Sequence, residues 1–311
     1  MEMGMVGLGR MGGNMVLRLH KRGHRMIAFD QSPDAVKSHV AQGAVGANTL
    51  EDFVKAFEDR PRVMWVMVPA GDPTTQTIKK LTELGEPGDI IIDGGNTNWK
   101  VAMQDASGVR AKGMHYMDAG TSGGIWGLEY GYCLMVGAEQ EIYDHCMPLL
   151  KDLAPDDGGL VRTGAEGSGH FVKMVHNGVE YGLMQAYAEG FQVMKMSKAF
   201  PDMNMQAIAE AWRTGSVVRS WLLDLIARGL SQDPELSTIK GWVEDTGEGR
   251  WTVEAAIDES VPVPIIAESL FARFRSRMEN TFGDRLLAMM RNQFGGHAVV
   301  SDAKAEAAAQ K

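Results

Sequence analysis

The sequence predicts an α/β N-terminal domain with a doubly wound parallel sheet, followed by an all-α C-terminal domain. Three observations predict this order. Short apolar runs alternate with amphipathic segments over residues 1–165, and a glycine-rich turn follows the first run. In residues 166–300 the apolar positions follow helical spacing almost throughout. Residues 301–311 are rich in alanine and charge, so we expect a flexible tail there. Ligands are expected beyond the carboxyl ends of the strands.

Composition narrows the classes of function. The 311 residues suffice for two domains, and the formal net charge of −9 disfavours nucleic acid as a partner. No apolar run approaches the ~20 residues that cross a membrane, and the N-terminus lacks the pattern of a signal peptide. The two cysteines, Cys133 and Cys146, match no metal motif. We therefore expect reduced thiols in a cytoplasmic protein that binds no metal, with a disulfide between them as the alternative.

The first strand–helix–strand unit carries a nucleotide-binding pattern. An apolar strand over residues 1–6 leads into a G-x-G-x-x-G turn, an amphipathic helix follows to Arg22, and a second strand covers residues 25–29. The turn consists of Gly7, Leu8, Gly9, Arg10, Met11 and Gly12. Its first glycine permits the tight turn, its second lets backbone N–H groups approach a pyrophosphate, and its third lets helix and strand pack closely. This context predicts a Rossmann-type dinucleotide-binding domain.

Asp30, which ends the second strand, indicates the cofactor. A carboxylate at this position can accept hydrogen bonds from the 2′ and 3′ hydroxyls of an adenosine ribose. The same charge repels a 2′-phosphate, and the next residues, Gln31, Ser32 and Pro33, supply no arginine. The position therefore favours NAD over NADP. The alternative is that Asp30 only caps a turn.

The strand–helix alternation continues to a first domain boundary near Ala165. We expect strands over residues 62–68, 89–93, 114–117, 133–136 and 159–162, and helices that begin at residues 32–33, 72–73 and 139. Glycine-containing loops are expected at residues 93–97 and 118–124, each after a strand. In them Asn96 and Ser122 offer hydrogen bonds, while Gly123 and Gly124 allow a ligand close to the backbone. Plain turns are the alternative.

The segment from Gly167 to Gln185 is predicted to be a central helix with a polar stripe. The stripe residues fall at i, i+3, i+4, i+7 and i+8, so they share one helical face. They are Lys173, His176, Asn177, Glu180 and Tyr181. Because the other faces are apolar, the helix should be central and the stripe should line a cleft. The alternative is a solvated face with a Lys/Glu pair.

The second half of the chain should be helical over residues 203–214, 218–229, 253–260 and 264–292. Arg273 lies between phenylalanines at 271 and 274, which indicates either a buried partner or a snorkelling arginine. Arg291 and His297 stand near the end of the last helix, where cations are favoured.

Seven motifs together resemble one family. They are GLGRMGGN (7–14), DGGNT (93–97), TSGG (121–124), GHFVKMVHNGVEY (169–181), GRWT (249–252), FAR (271–273) and FGGH (294–297). The set resembles decarboxylating 6-phosphogluconate dehydrogenase in its short, bacterial, NAD-preferring form. KMVHNGVEY is highly specific for that family, whereas the glycine motifs are shared with the wider β-hydroxyacid dehydrogenases.

The resemblance implies roles for individual residues. Lys173 would be the general base and Glu180 the general acid in the NAD-dependent oxidative decarboxylation of 6-phosphogluconate. The sugar acid would be held by Asn96, which also borders the cofactor, and by Ser122, Gly123, Gly124, His176 and Asn177. Its phosphate would be held by Tyr181 and Arg273. Arg291 and His297 would reach the site of a neighbouring subunit, which implies a homo-oligomer, either dimer or tetramer.

The chain also departs from the long form of that family. Thr246 and Glu248 stand where the long form has a lysine and a threonine, and Arg250 replaces a second lysine. Ile125 and Trp126 replace acidic residues after the TSGG motif. These departures bear on how the phosphate is bound.

The chemistry of the residues agrees with the implied roles. Oxidation of a secondary alcohol needs a base on the hydroxyl, and the resulting 3-keto acid loses carbon dioxide readily. Lys173 can be that base in a dry site that favours its neutral amine, and Glu180 can protonate the enediol. The alternatives are a β-hydroxyacid dehydrogenase of the 3-hydroxyisobutyrate type, which oxidises without decarboxylation, and a non-catalytic NAD-sensing protein.

Overall fold

The computed structural model describes residues 1–300, apart from the side chain of Phe294, and the tail expected at 301–311 lies outside the described residues. Packing divides the chain into two compact units. Unit 1 comprises Met1–Glu180 and Glu248–Val261, and unit 2 comprises Tyr181–Gly247 and the segment from Pro262 onward. This division falls elsewhere than the predicted domain boundary near residue 165, which stays a prediction.

Unit 1 is built on an eight-stranded sheet. Its strands are β1 (Glu2–Val6), β2 (Arg25–Phe29), β3 (Val45–Gly46), β4 (Val63–Val66), β5 (Ile90–Asp93), β6 (His115–Ser122), β7 (Cys133–Gly137) and β8 (Leu160–Gly164). They follow the order β3-β2-β1-β4-β5-β6-β7-β8, in which only β6 and β7 pair antiparallel. The winding reverses at β1, which lies between β2 and β4, as a doubly wound sheet requires. The predicted fold class is confirmed.

Helices pack against both faces of this sheet. They are α1 (Arg10–Lys21), α2 (Pro33–Val40), α3 (Leu50–Lys55), α4 (Asp72–Leu84), α5 (Trp99–Arg110), α6 (Gly127–Tyr130) and α7 (Gln140–Leu153), with a 3₁₀ turn at Gly124–Trp126. Neighbouring residues of one strand join opposite apolar clusters: Trp65 packs with α1 and α7, whereas Val66 packs with α3, α4 and α5. Full burial of one such side chain contributes roughly 1.5–3 kcal/mol.

Two expectations for the sheet are wrong. The strand expected to end at Met117 continues through Ser122, so residues 118–122 of the expected loop are strand. The sheet is also not wholly parallel, because this extension pairs antiparallel with β7. The reason is close packing. A Cβ at Gly120 would lie 2.4 Å from the Cβ of Lys173, so this glycine lets a helix approach the strand and does not mark a turn.

Unit 2 is helical. Helix α8 (Ser168–Lys195) runs from unit 1 into unit 2, and α11 (Glu248–Asp258) belongs to unit 1. The remaining helices of unit 2 are α9 (Met205–Arg213), α10 (Trp221–Gln232), α12 (Pro264–Arg275) and α13 (Phe282–Gly295). The single helix expected over residues 264–292 is wrong. The chain leaves the helix after Arg275, and α13 starts afresh where Thr281 and Asp284 form a capping box.

Other expectations concern cysteines, metals and membranes. Cys133 and Cys146 are free thiols, so the alternative of a disulfide between them is wrong. Residues 1–300 contain no group of His, Cys, Asp and Glu side chains placed to hold a metal ion. None of the described helices combines the length and the apolar character needed to cross a membrane.

Candidate active site

Helix α8 begins on a buried carboxylate of the sheet. Asp118, in β6, accepts hydrogen bonds from the backbone N–H groups of Gly167 at 2.6 Å and His170 at 2.7 Å. Such donors at a helix N-terminus lack partners within the helix, and the helix dipole favours a negative charge beside them. Burial raises the pKa of Asp118, although His170 and both backbone donors oppose the rise. The sheet thereby determines where α8 starts.

A second buried carboxylate joins the loop after β5 to the same helix. Asp93 Oδ2 accepts a hydrogen bond from the Tyr116 hydroxyl at 3.1 Å and lies 3.3 Å from His170 Nε2. The His170 contact has an ion-pair distance without hydrogen-bond geometry, so its attraction is electrostatic. Burial opposes both charges, yet their proximity lowers the pKa of Asp93 and raises the pKa of His170. Asp93 Oδ1 also accepts from Gly95 N–H at 3.0 Å, which orders the loop that carries Asn96.

The polar stripe predicted on α8 forms a chain of contacts within unit 1. Lys173 Nζ donates to Asn177 Oδ1 at 2.6 Å, and the same oxygen lies 3.0 Å from His176 Nδ1. His176 Nδ1 lies 3.9 Å from Glu180 Oε2. The Lys173 side chain is only 13% exposed, whereas that of Glu180 is 38% exposed. The stripe therefore runs from a buried amine to a half-exposed carboxylate, which does not fit the alternative of a wholly solvated face.

Lys173 has a further contact to which the sequence assigned no role. Glu248, the first residue of α11, places Oε2 3.4 Å from Lys173 Nζ, and its side chain is 4% exposed. Burial raises the pKa of Glu248, against the lowering effect of the neighbouring Lys173 ammonium. The base candidate thus faces a second titratable group in the dry part of the site.

Tyr181 and Arg273 lie together in unit 2. The Arg273 guanidinium carbon stands 3.5 Å from the centre of the Tyr181 ring, and Nη1 donates to the Glu244 carbonyl oxygen at 2.8 Å. The Tyr181 hydroxyl accepts a hydrogen bond from the Thr246 N–H at 3.3 Å. Arg273 therefore has an aromatic partner, and the phenol and guanidinium expected to bind the phosphate are neighbours.

The glycine turn fits a dinucleotide. Gly7 has φ of +100°, and a Cβ at Gly12 would lie 2.1 Å from the Gly7 carbonyl oxygen, so both positions require glycine. The space at the Gly9 Cβ position is open to 4 Å, and α1 begins there without a side-chain cap. Asp30 accepts from Leu8 N–H and from Ser32 N–H, both at 2.7 Å. Asp30 therefore does cap the turn, and each oxygen keeps a second lone pair for a ribose hydroxyl.

The two loop positions predicted to bind the sugar acid follow neighbouring strands. Ser122 is the last residue of β6, and Asn96 follows β5, which pairs parallel with β6. Gly123 and Gly124 both have positive φ, at +128° and +53°, so the chain turns sharply after Ser122. Because the carboxyl ends of parallel strands meet at one edge of a sheet, Asn96 and Ser122 share that edge.

Arg291 and His297 belong to unit 2. Arg291 is an exposed residue of α13, and the His297 carbonyl oxygen accepts a hydrogen bond from Asn292 Nδ2 at 2.9 Å. Their predicted place in the site of a neighbouring subunit stays a prediction.

Comparison with known proteins covers both halves of the chain. Residues 2–163 match the family described as the NAD binding domain of 6-phosphogluconate dehydrogenase, and residues 169–308 match the C-terminal domain of the same enzyme. The YqeC protein of Bacillus subtilis is 41% identical over 298 residues, with 96% of this chain and 99% of that protein covered. A protein of Haloferax volcanii named NAD(+)-dependent, decarboxylating 6-phosphogluconate dehydrogenase is 40% identical over 300 residues, with 96% and 98% covered.

A solved structure extends the likeness to the fold. The 6-phosphogluconate dehydrogenase of Plasmodium falciparum superposes with a TM-score of 0.82 at 26% identity. The match covers 97% of this chain and 66% of that one, so this chain spans about two thirds of the length of that relative.

Proposed function

This chain belongs to the 6-phosphogluconate dehydrogenase family, and from that membership we propose that it converts 6-phospho-D-gluconate and NAD to D-ribulose 5-phosphate, carbon dioxide and NADH. The observation that carries the proposal is the contact chain on α8, which starts at the buried amine of Lys173 and ends at the half-exposed carboxylate of Glu180. It provides one base and one acid on a single rigid element.

The proposed reaction moves protons through these two residues. NAD, held by the glycine turn and Asp30, supplies the hydride acceptor when it is bound. Lys173 as neutral amine takes the proton of the C3 hydroxyl and becomes an ammonium. The ammonium then donates to the C3 ketone oxygen while the bond to the carboxylate breaks and carbon dioxide leaves. Glu180 protonates the carbon that lost the carboxylate, and Lys173 takes the enol proton back. Lys173 therefore ends protonated and Glu180 ends ionised. One proton has to return from Lys173 to Glu180 before the next turnover, and the reaction releases no net proton.

Burial of the base and exposure of the acid suit these steps. Asn177 Oδ1 accepts from Lys173 Nζ and so orients the amine, while the protein around it excludes water. Glu180 is open enough to be reprotonated from solvent or from His176 between turnovers. Tyr181 and Arg273 supply a hydroxyl and a cation for the phosphate.

We also propose a homo-oligomer in the cytoplasm. Four large apolar side chains at the end of α8 and on α13 are 60–73% exposed, and covering them would bury an apolar surface. They are Val193 on α8, Met196 just after it, and Phe282 and Leu287 on α13. The cytoplasmic location follows from the substrate and cofactor, whose charges keep them from crossing a membrane unaided. Light scattering of the purified protein measures the assembly, and a monomer at micromolar concentration would refute it.

One assay tests the reaction. Purified protein is mixed with NAD and 6-phosphogluconate, and NADH and carbon dioxide are measured in the same vessel, with NADP and gluconate in parallel. Equal amounts of both products support the proposal. NADH without carbon dioxide would identify a plain hydroxyacid dehydrogenase, and NAD binding without any turnover of sugar acids would identify a sensor.

A matched pair of variants tests the base. Lys173→Ala should lower kcat by about 10²–10⁴-fold while NAD binding is retained, because a general base contributes that much. Lys195→Ala, on the same helix but at a surface pair with Glu235, should leave kcat unchanged. Equal rates in both variants would refute the assignment of Lys173.

A further inference from the structure

The contact between Glu248 and Lys173 is built into a rigid helix pair. Thr252, one turn after Glu248 on α11, donates from Oγ1 to the Met174 carbonyl oxygen at 2.8 Å. A Cβ at Gly178 would lie 2.7 Å from Thr252 Cγ2, so α11 and α8 touch closely at a position where only glycine fits. Both segments belong to unit 1. The 3.4 Å separation of Glu248 Oε2 and Lys173 Nζ is therefore held by packing on both sides.

An ordinary ion pair at this place would oppose the proposed reaction. A buried carboxylate stabilises the neighbouring ammonium, and an ammonium cannot take a proton from the substrate. Full burial of two opposite charges is also costly, whereas the neutral amine and neutral carboxylic acid avoid that cost. His170 and His176, both on α8, also act on Glu248: they lower its pKa and so favour the carboxylate, but the effect of burial outweighs them.

We propose that Glu248 is a positioning residue that accepts the proton which Lys173 must lose before it can act as a base. An N–H bond of the Lys173 ammonium breaks and an O–H bond forms on Glu248, so that ammonium and carboxylate become amine and carboxylic acid. The number of protons on the pair and its net charge stay the same. No proton has to leave the closed site, and no charge is left without a partner. This inference rests on the proposed function, with Lys173 as base.

The burial of Glu248 supports this direction of transfer. Only 4% of its side chain is exposed, and burial raises the pKa of the carboxyl group, so the protonated form is favoured more than in an exposed glutamate. Glutamate has reach and acidity suited to exchange a proton with an amine at hydrogen-bond distance, and such contacts tighten when substrate binds.

The sign of a pH shift tests the proposal. In the wild-type protein the Lys173–Glu248 pair can supply a neutral amine until a second proton is added to the pair. The acid limb of the pH profile, where kcat falls, therefore lies at low pH. In Glu248→Gln the lysine must lose its proton to solvent, so kcat at neutral pH should fall about tenfold or more and recover as the pH rises. The acid limb thus moves to higher pH, while KM for the sugar acid changes little. If Glu248 merely held the ammonium in place, its removal would move the limb to lower pH and raise the rate.

Two further variants complete the series. Glu248→Asp keeps a proton acceptor and should keep the wild-type limb at a reduced kcat, which separates loss of the carboxyl from loss of folding. Glu254→Gln, at an exposed position of the same helix, should leave rate and profile unchanged. An unmoved acid limb in Glu248→Gln, or one moved to lower pH, would overturn the proposal.

A measurement without turnover keeps this test separate from that of the overall reaction. The rate of acetylation of Lys173 by acetic anhydride, followed by mass spectrometry across pH, reports the neutral amine directly. In Glu248→Gln the labelling curve should move to higher pH. Absence of turnover by the wild-type protein would refute the proposed function, whereas unchanged labelling in an active enzyme would refute only the role of Glu248.

Discussion

Replacement of Gly120 by alanine should displace the base that the reaction requires. The new Cβ would lie 2.4 Å from the Lys173 Cβ and 2.7 Å from the Gly169 carbonyl oxygen. Ordinary contacts begin near 3.4 Å, so α8 has to move from β6 by about 1 Å. Overpacking of this kind costs about 1–3 kcal/mol of stability, and a misplacement of about 1 Å at a catalytic group can lower the rate about 10²-fold.

The assay pairs a stability measurement with kinetics. Urea unfolding of Gly120→Ala gives the loss of unfolding free energy, and kcat with 6-phosphogluconate and NAD gives the loss of rate. Gly190→Ala is the matched control, since Gly190 lies in the same helix and nothing stands within 4 Å of its Cβ position. That variant should gain roughly 0.5–1 kcal/mol and keep its rate. A Gly120→Ala protein with unchanged stability and rate would refute the packing explanation.

Three other predictions concern the cofactor, the phosphate and pH. Asp30→Ala should raise KM for NAD about tenfold and relax discrimination against NADP, because charge-assisted hydrogen bonds to the ribose are lost; a fixed ratio of the two KM values would contradict the ribose role. Arg273→Ala should raise KM for 6-phosphogluconate about 10–100-fold without a like effect on gluconate, since only the former carries a phosphate; equal effects on both would exclude a phosphate contact. His170 has a pKa raised above its usual 6.5, so the stability from its charge beside ionised Asp93 is fully present just below pH 6.5 and is lost as the pH rises through the raised value. The stability difference between wild type and His170→Gln, followed by thermal unfolding, should shrink toward alkaline pH, and a constant difference would contradict the ion pair. Asp93, whose pKa is lowered, should lose its contribution as the pH falls through that value.

Local patterns predicted the turn and the stripe because their causes are local. The spacing of Gly7, Gly9 and Gly12 has a function only where a strand turns into a helix. The structure has a strand, a turn and a helix in that order. The stripe on α8 follows from helical periodicity alone, so its residues had to share a face. Glycine and polar side chains within a few residues of each other suffice for both inferences.

Contacts across the chain could not be predicted in the same way. Gly120 and the glycines after it are typical of turns and therefore predict a loop at Asp118, whereas the structure shows that Gly120 is needed because a helix packs on β6. In the sequence Glu248 differs from its surroundings only as a departure from the long form, since its contact with Lys173 joins residues 75 positions apart. Periodicity also could not show the break after Arg275, because the capping residues of α13 fall within an otherwise helical pattern.

The two units alternate along the sequence, and this limits which fragments of the chain contain a whole unit. The chain leaves unit 1 after Glu180, returns at Glu248 and leaves again after Val261. A fragment that stops at residue 180 would keep the proposed base and acid but lose Glu248 and the Thr252 bond to α8. A contiguous piece that contains all of unit 1 therefore also contains residues 181–247 of unit 2. Recombination of such enzymes by exchange of an N-terminal or C-terminal half would separate Lys173 from its carboxylate partner. Chimeras would have to exchange the segment Glu248–Val261 together with the residues that form the sheet.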